Sequence, residues 1–172
     1  MAMTLIATHT VTSATGSFTF SSIPQTYETL LIKGCLADST SGTGRNDFTI
    51  TFNSDNTNGA NYYGNRFLFY DGNNRLHDLT GTSQGATHAM PGTGNGARFT
   101  GIEWIIPNYT SGSYNKAMHS QGGYGASTTQ AFLNLVSYNN LNNTSAVSSI
   151  TFKAAGSGTF AVNSLVSLYG LS

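Results

Sequence analysis

Charge is what this chain has least of. Its 172 residues carry seven Lys and Arg against seven Asp and Glu, 8% of the sequence, and the formal net charge is zero. Globular domains usually give about a quarter of their residues to charge. A nucleic-acid binder shows a basic footprint, whereas Lys33, Arg45, Arg66, Arg75, Arg98, Lys116 and Lys153 are dispersed along this chain. Nucleic acid is therefore not an expected partner. Cysteine is nearly absent too. A lone Cys35 excludes an intrachain disulfide and a paired-cysteine redox motif. Its place in the run Leu30 to Leu36 reads as that of a small buried hydrophobe. Long apolar runs are missing: none approaches the roughly 20 residues of a membrane span. No secretory segment opens the chain, so cytoplasmic synthesis and no membrane partner are expected. Helical periodicity is missing as well, since no segment of a dozen residues repeats its apolar positions every 3.6 residues.

What is present is glycine (20), Phe (10), Tyr (9) and many Asn, Ser and Thr. Such aromatic content argues against disorder and for many short strands joined by polar turns. The C-terminal stretch is the clearest. Ile150, Phe152 and Ala154 alternate with Ser149, Thr151 and Lys153, the period of a half-buried strand. After a turn at Ala155-Gly156-Ser157-Gly158, the segment Phe160 to Tyr169 is apolar on both faces. The reading there is a hairpin whose second strand lies centrally, inside the domain or against a partner chain.

Earlier segments read the same way. Strands are expected at Met3 to Val11, Ser17 to Phe20 and Tyr27 to Ala37, the last being the best partner for the C-terminal strand. Asp47 to Asn53 alternates most cleanly, with Phe48, Ile50 and Phe52 on one face. Arg66 to Tyr70 returns through an Asp71-Gly72-Asn73-Asn74 turn to Arg75–Leu79. Gly81 to Gly96 reads as a long surface loop with at most a short strand near Ala86 to Met90. Ala97 to Pro107 places Ile102, Trp104 and Ile106 on one face. Lys116 to Gln121, ended by Gly122-Gly123, and Ala131 to Tyr138 complete about ten strands, followed by an Asn-rich turn from Asn139 to Thr144. The expected fold is a single all-β domain over residues 1–172, an antiparallel sandwich of jelly-roll type with almost no helix.

Catalytic and metal signals are thin. Among Glu28, Asp38, Asp47, Asp55, Asp71, Asp78 and Glu103, only Glu103 lies mid-strand between apolar neighbours, and its plain reading is a side chain turned to solvent. His9, His77, His88 and His119 lack metal-ligand spacing. The run Asn53 to Gly59 departs from a calcium loop, because its glycine falls one place late and Gly64 stands where Glu belongs. No catalytic or phosphate-binding motif is present. The expectation is no enzyme, no cofactor and no metal. Aromatics beside polar turns are the better signal. Tyr62, Tyr63, Tyr109, Tyr114 and Tyr124, with Arg66 and with His88 in the least patterned segment, Gly81 to Gly96, are the interaction candidates, suited to packing on a partner or stacking on sugar.

The two ends of the chain carry a resemblance. Met3-Thr4-Leu5-Ile6-Ala7-Thr8-His9-Thr10-Val11, then Phe18-Thr19-Phe20 and Ile23-Pro24-Gln25-Thr26-Tyr27-Glu28-Thr29-Leu30, resembles the opening of small β-rich virion proteins of tailed bacteriophages, often marine ones. The ending Ser167-Leu168-Tyr169-Gly170-Leu171 resembles their closing motif, and the Ile-Thr-Phe-Asn strand with its Asn-Gly-Ala-Asn-Tyr turn within Asp47 to Asn65 is similar in style. The resemblance spans about the first seventy and the last twenty-five residues and brings no catalytic residues. It implies a structural virion part. The expected role is capsid decoration or cementing by a homotrimer in contact with other virion proteins. A tail or fibre component touching a host receptor is the alternative within a virion. A carbohydrate-binding module that takes a surface glycan is the alternative of another class.

Overall fold

The computed structural model describes the backbone of residues 2–40, 45–55, 62–70, 73–79, 86–92, 98–125, 131–141 and 143–172. Side chains are described over the same ranges except 45, 63–70, 73–79, 86–89, 125 and 131–141. The described residues form strands β1 (Met3–Thr10), β2 (Ser17–Phe20), β3 (Thr29–Leu36), β4 (Arg45–Phe52), β5 (Tyr62–Tyr70), β6 (Asn73–Leu79), β7 (Ala86–Pro91), β8 (Thr100–Pro107), β9 (Lys116–Gly125), β10 (Ala131–Leu141), β11 (Ile150–Ala154) and β12 (Leu165–Leu171), with no helix among them.

The large sheet runs β1-β12-β3-β8-β9-β10-β5-β6 and the small one β2-β11-β4-β7, and all strand pairs are antiparallel. Setting aside the hairpins β5-β6 and β9-β10 leaves two four-stranded sheets, β1-β12-β3-β8 and β2-β11-β4-β7. Numbered in chain order, those eight strands stand as 1-8-3-6 and 2-7-4-5. That interlocked pair of Greek keys is the jelly roll. The two hairpins are insertions, one between β4 and β7 and the other between β8 and β11. They pair with each other through β10 and β5 and lengthen the first sheet beyond β8.

Alternation builds the core. Leu30, Ile32 and Leu36 from β3, Ile102, Trp104 and Ile106 from β8, and Val166 and Leu168 from β12 point inward from one sheet. Phe18, Phe20, Phe48, Ile50, Phe52, Ile150 and Phe152 meet them from the other. A column of rings joins the layers. His9 stacks on Phe18 at 4.2 Å, Phe18 on Phe152 at 4.8 Å, and Phe152 on Trp104 at 5.7 Å. Burial in this column pulls the His9 imidazole below its ordinary value.

Several expectations are corrected. β11 and β12 are not a hairpin, because β11 pairs with β2 and β4 while β12 pairs with β1 and β3. Opposite sheets let the inward faces of both reach the same core. The Ala155–Ser164 connection crosses between layers, so β12 begins at Leu165 rather than Phe160, and Val162 is exposed. The short strand expected near Ala86 to Met90 is present as β7, which pairs with β4 and buries Met90 completely. Residues 80–85 and 93–97 lie outside the described residues. β9 runs through Gly122-Gly123 to Gly125, because Gly122 is paired on both sides, to Ile102 and Asn134. β10 likewise continues through Asn139 and Asn140 to Leu141, paired with β5 and β9.

Candidate interaction surface

The aromatic candidates do not gather on one open face. Tyr62 is buried, and its hydroxyl oxygen accepts the Phe52 N–H at 2.9 Å, satisfying the last backbone donor of β4. Burial pushes its phenol up to about 12. Tyr109 is fully buried and donates its hydroxyl to the Pro24 carbonyl, and burial raises its phenol as well. Tyr124 is also buried, on the inward face of β9. The expectation of exposed rings is thus corrected for these three. Tyr114 is the one exposed tyrosine among the described side chains, at 68%. Tyr63 and Arg66 lie on β5 and His88 on β7, with side chains outside those described.

One end of the sandwich is closed by polar side chains used as ties. Lys116 is buried and donates to the carbonyls of Ser111 at 2.6 Å, Tyr114 at 2.7 Å and Thr144 at 3.0 Å. Burial pulls its ammonium below the usual range. Asn53, in the left-handed region at φ 52°, accepts from the Ser148 and Ser149 N–H groups at 2.8 and 3.2 Å and donates to the Ala146 carbonyl at 2.8 Å. Asn53 thus acts as a lock on the 146–149 segment.

Elsewhere, Asp38 is buried where β3 gives way to the small sheet. Burial pushes its carboxyl up, but hydrogen bonds from Thr40, Asn46 and Thr159 outweigh that and hold it below its ordinary value. All these groups have structural partners. Among the described residues no cluster of three His, Cys, Asp or Glu could hold a metal ion.

The surface that stands out is the outer face of the large sheet. A half-solvated antiparallel sheet is expected to alternate apolar-in and polar-out. The small sheet does so: its outer positions are Ser17, Thr19, Thr49, Thr51, Thr151 and Lys153. The large sheet does not. Register places Leu5, Tyr169, Leu31, Ile105 and His119 in one row across five strands. Met3, Leu171, Thr29 and Pro107 form the row beside it. Met3 is 59% exposed, Leu5 56% and, further along the face, Leu165 37%.

A polar row borders the apolar ones: Thr8, Ser167, Lys33, Glu103 and Gln121. Thr8 and Ser167 hydroxyls meet at 2.9 Å, Lys33 pairs with Glu103 at 2.9 Å, and Gln121 donates to Glu103 at 3.1 Å. Glu103 therefore faces outward and forms half of an ion pair. The residues of the apolar rows were not singled out as site candidates from sequence. The signal was the two-faced apolar pattern of the last strand and of Tyr27 to Ala37, which gives a face but not its exposure.

The class these observations define is a jelly-roll domain whose small sheet has a polar outer face and whose large sheet, over β1, β12, β3, β8 and β9, carries apolar rows beside a polar one. Comparison with protein-family models, with curated proteins and with solved structures finds no match. Among the described residues no helix is long and apolar enough to cross a membrane.

Proposed function

We propose that this chain is a non-enzymatic structural protein of a tailed-phage virion, a capsid decoration or cement protein that works through protein–protein contacts as a homotrimer. The observation that carries the reading is the apolar outer face of the large sheet on a chain of zero net charge. Contiguous exposed apolar surface marks interaction sites, and a nearly uncharged surface gives little protection against association. The jelly roll serves capsid and lectin domains alike, so the fold alone does not choose between them. The resemblance of both chain ends to phage virion proteins supports the capsid side. A glycan-binding module needs several aromatic rings on an open face; of the candidate tyrosines with described side chains, Tyr62, Tyr109 and Tyr124 are committed to the interior and Tyr114 alone is exposed.

Immuno-electron microscopy tests this, with a serum raised against the purified protein and particles purified from the virus carrying the gene. Label on capsid shells is the expected result. Label on tails would replace decoration by the tail or fibre role. Particles without label would overturn the virion reading.

A further inference from the structure

We infer that the outer face of β1, β12, β3, β8 and β9 is covered by a second copy of this chain. The inference deepens the structural-protein reading above by naming the surface and its occupant. The two sheets supply an internal comparison. Both belong to one sandwich, yet the described outer positions of one are Ser, Thr and Lys, whereas those of the other include two rows with Met, Leu, Ile and Tyr beside the polar row from Thr8 to Gln121. Composition therefore tracks the face, as it does where one side meets water and the other meets protein.

Charge selects the occupant. The described outer positions of this face include one cation, Lys33, and one carboxylate, Glu103, held as a pair. Lys33 keeps 53% of its side chain exposed. A partner of strong charge gains nothing from so neutral a surface. A copy of the same face brings its own Lys33 and Glu103, so cation can meet carboxylate in both directions; such a self-complementary contact joins two chains about a two-fold axis and is separate from the contact that closes the proposed homotrimer.

The extent is adequate as well. Five strands spaced about 4.8 Å apart and about seven residues long at about 3.3 Å each cover roughly 550 Å² in flat projection. Two such faces together offer roughly 1,100 Å², just above the roughly 1,000 Å² total that a specific interface should clear.

Light scattering on the full chain and on surface variants tests the inference. The wild type should run at a multiple of 18.2 kDa. Leu5→Asp should shift it to the single-chain mass, while Thr19→Asp on the outer face of the small sheet should leave it assembled. Because Leu5→Asp could act through folding, Lys33→Glu supplies a second arm. It places like charges on the face and should weaken assembly at least tenfold, and Lys33→Glu with Glu103→Lys should restore it. A wild type that is monomeric, or an assembly indifferent to Leu5→Asp and Lys33→Glu, overturns the inference. A monomer that still labels capsids would leave the virion role standing, whereas an assembled protein absent from particles would remove that role and leave this contact.

Discussion

The ring of Tyr27 lies directly on Gly170. A Cβ built at residue 170 would stand 2.3 Å from the ring's Cγ and Cδ2 atoms, closer than any side chain can approach. Two segments 143 positions apart, one from each end of the chain, thus meet in a single contact. The tyrosine before Glu28 and the glycine of the closing Tyr-Gly-Leu motif are halves of it. Gly170 is also paired with Leu30 in β3 and Thr4 in β1, so the glycine cannot back away from the ring.

Gly170→Ala is therefore expected to cost about 1–3 kcal/mol, the range for overpacking a tight site. Urea unfolding monitored by Trp104 fluorescence measures it. In a Tyr27→Ala background the same change should cost much less, and this non-additivity marks direct contact. Equal costs in both backgrounds would show that the ring is not what excludes a side chain.

Tyr62 makes the protein sensitive to alkali. The folded phenol keeps its proton up to about 12, whereas an unfolded tyrosine ionises near pH 10. Between those values the unfolded chain holds fewer protons, so stability falls as pH rises through the window. The two values differ by about two, and at about 1.4 kcal/mol for each the loss is roughly 3 kcal/mol. Tyr109 adds to it with the same sign. Urea midpoints from pH 9 to 12 should fall for the wild type and fall less for Tyr62→Phe.

Asp38 gives the acid counterpart. Its carboxylate is held below the ordinary value by donors from Thr40, Asn46 and Thr159, so its contribution is complete above the unfolded value and disappears as pH falls through the folded one. Asp38→Asn should lower stability by about 1–3 kcal/mol at neutral pH. It should also flatten the decline on acidification below about pH 4 relative to the wild type. Parallel acid curves for the two proteins would exclude the role.

Removing the Lys116 ammonium leaves the carbonyls of Ser111, Tyr114 and Thr144 to find other donors. Lys116→Met keeps the apolar stem and is expected to cost about 1–3 kcal/mol, the range for charge-assisted hydrogen bonds lost from a buried group. Hydrogen exchange should accelerate first in residues 111–114 and 143–147, the segments this side chain ties together. Uniform acceleration across both sheets would argue that the lysine supports the global fold rather than this end.

Local pattern determined much of this protein, and it did so where burial has a period. Phe48, Ile50 and Phe52, or Ile102, Trp104 and Ile106, mark strand and inward face together, because successive side chains point to opposite faces. The antiparallel return of β5 into β6 was legible for a similar reason, from the turn-forming run Asp71-Gly72-Asn73-Asn74, although β6 already begins at Asn73 and residues 71–72 lie outside the described residues.

Only the tertiary structure decided what depends on neighbours distant in the chain. Gly122-Gly123 ends a strand by local propensity, but partners on both sides carry β9 through it. β11 and β12 look like a hairpin because they are close in sequence, yet opposite sheets let both bury their apolar faces. Tyr62 and Tyr109 look like surface rings because their neighbours are polar, and they are interior because Phe52 and Pro24 offer their hydroxyls partners. The outer face of the large sheet is the last of these. Sequence shows that β12 is apolar on both sides, and only the placement of five strands in register lines those side chains up in rows, exposed at Met3, Leu5 and Leu165 and buried at Leu31.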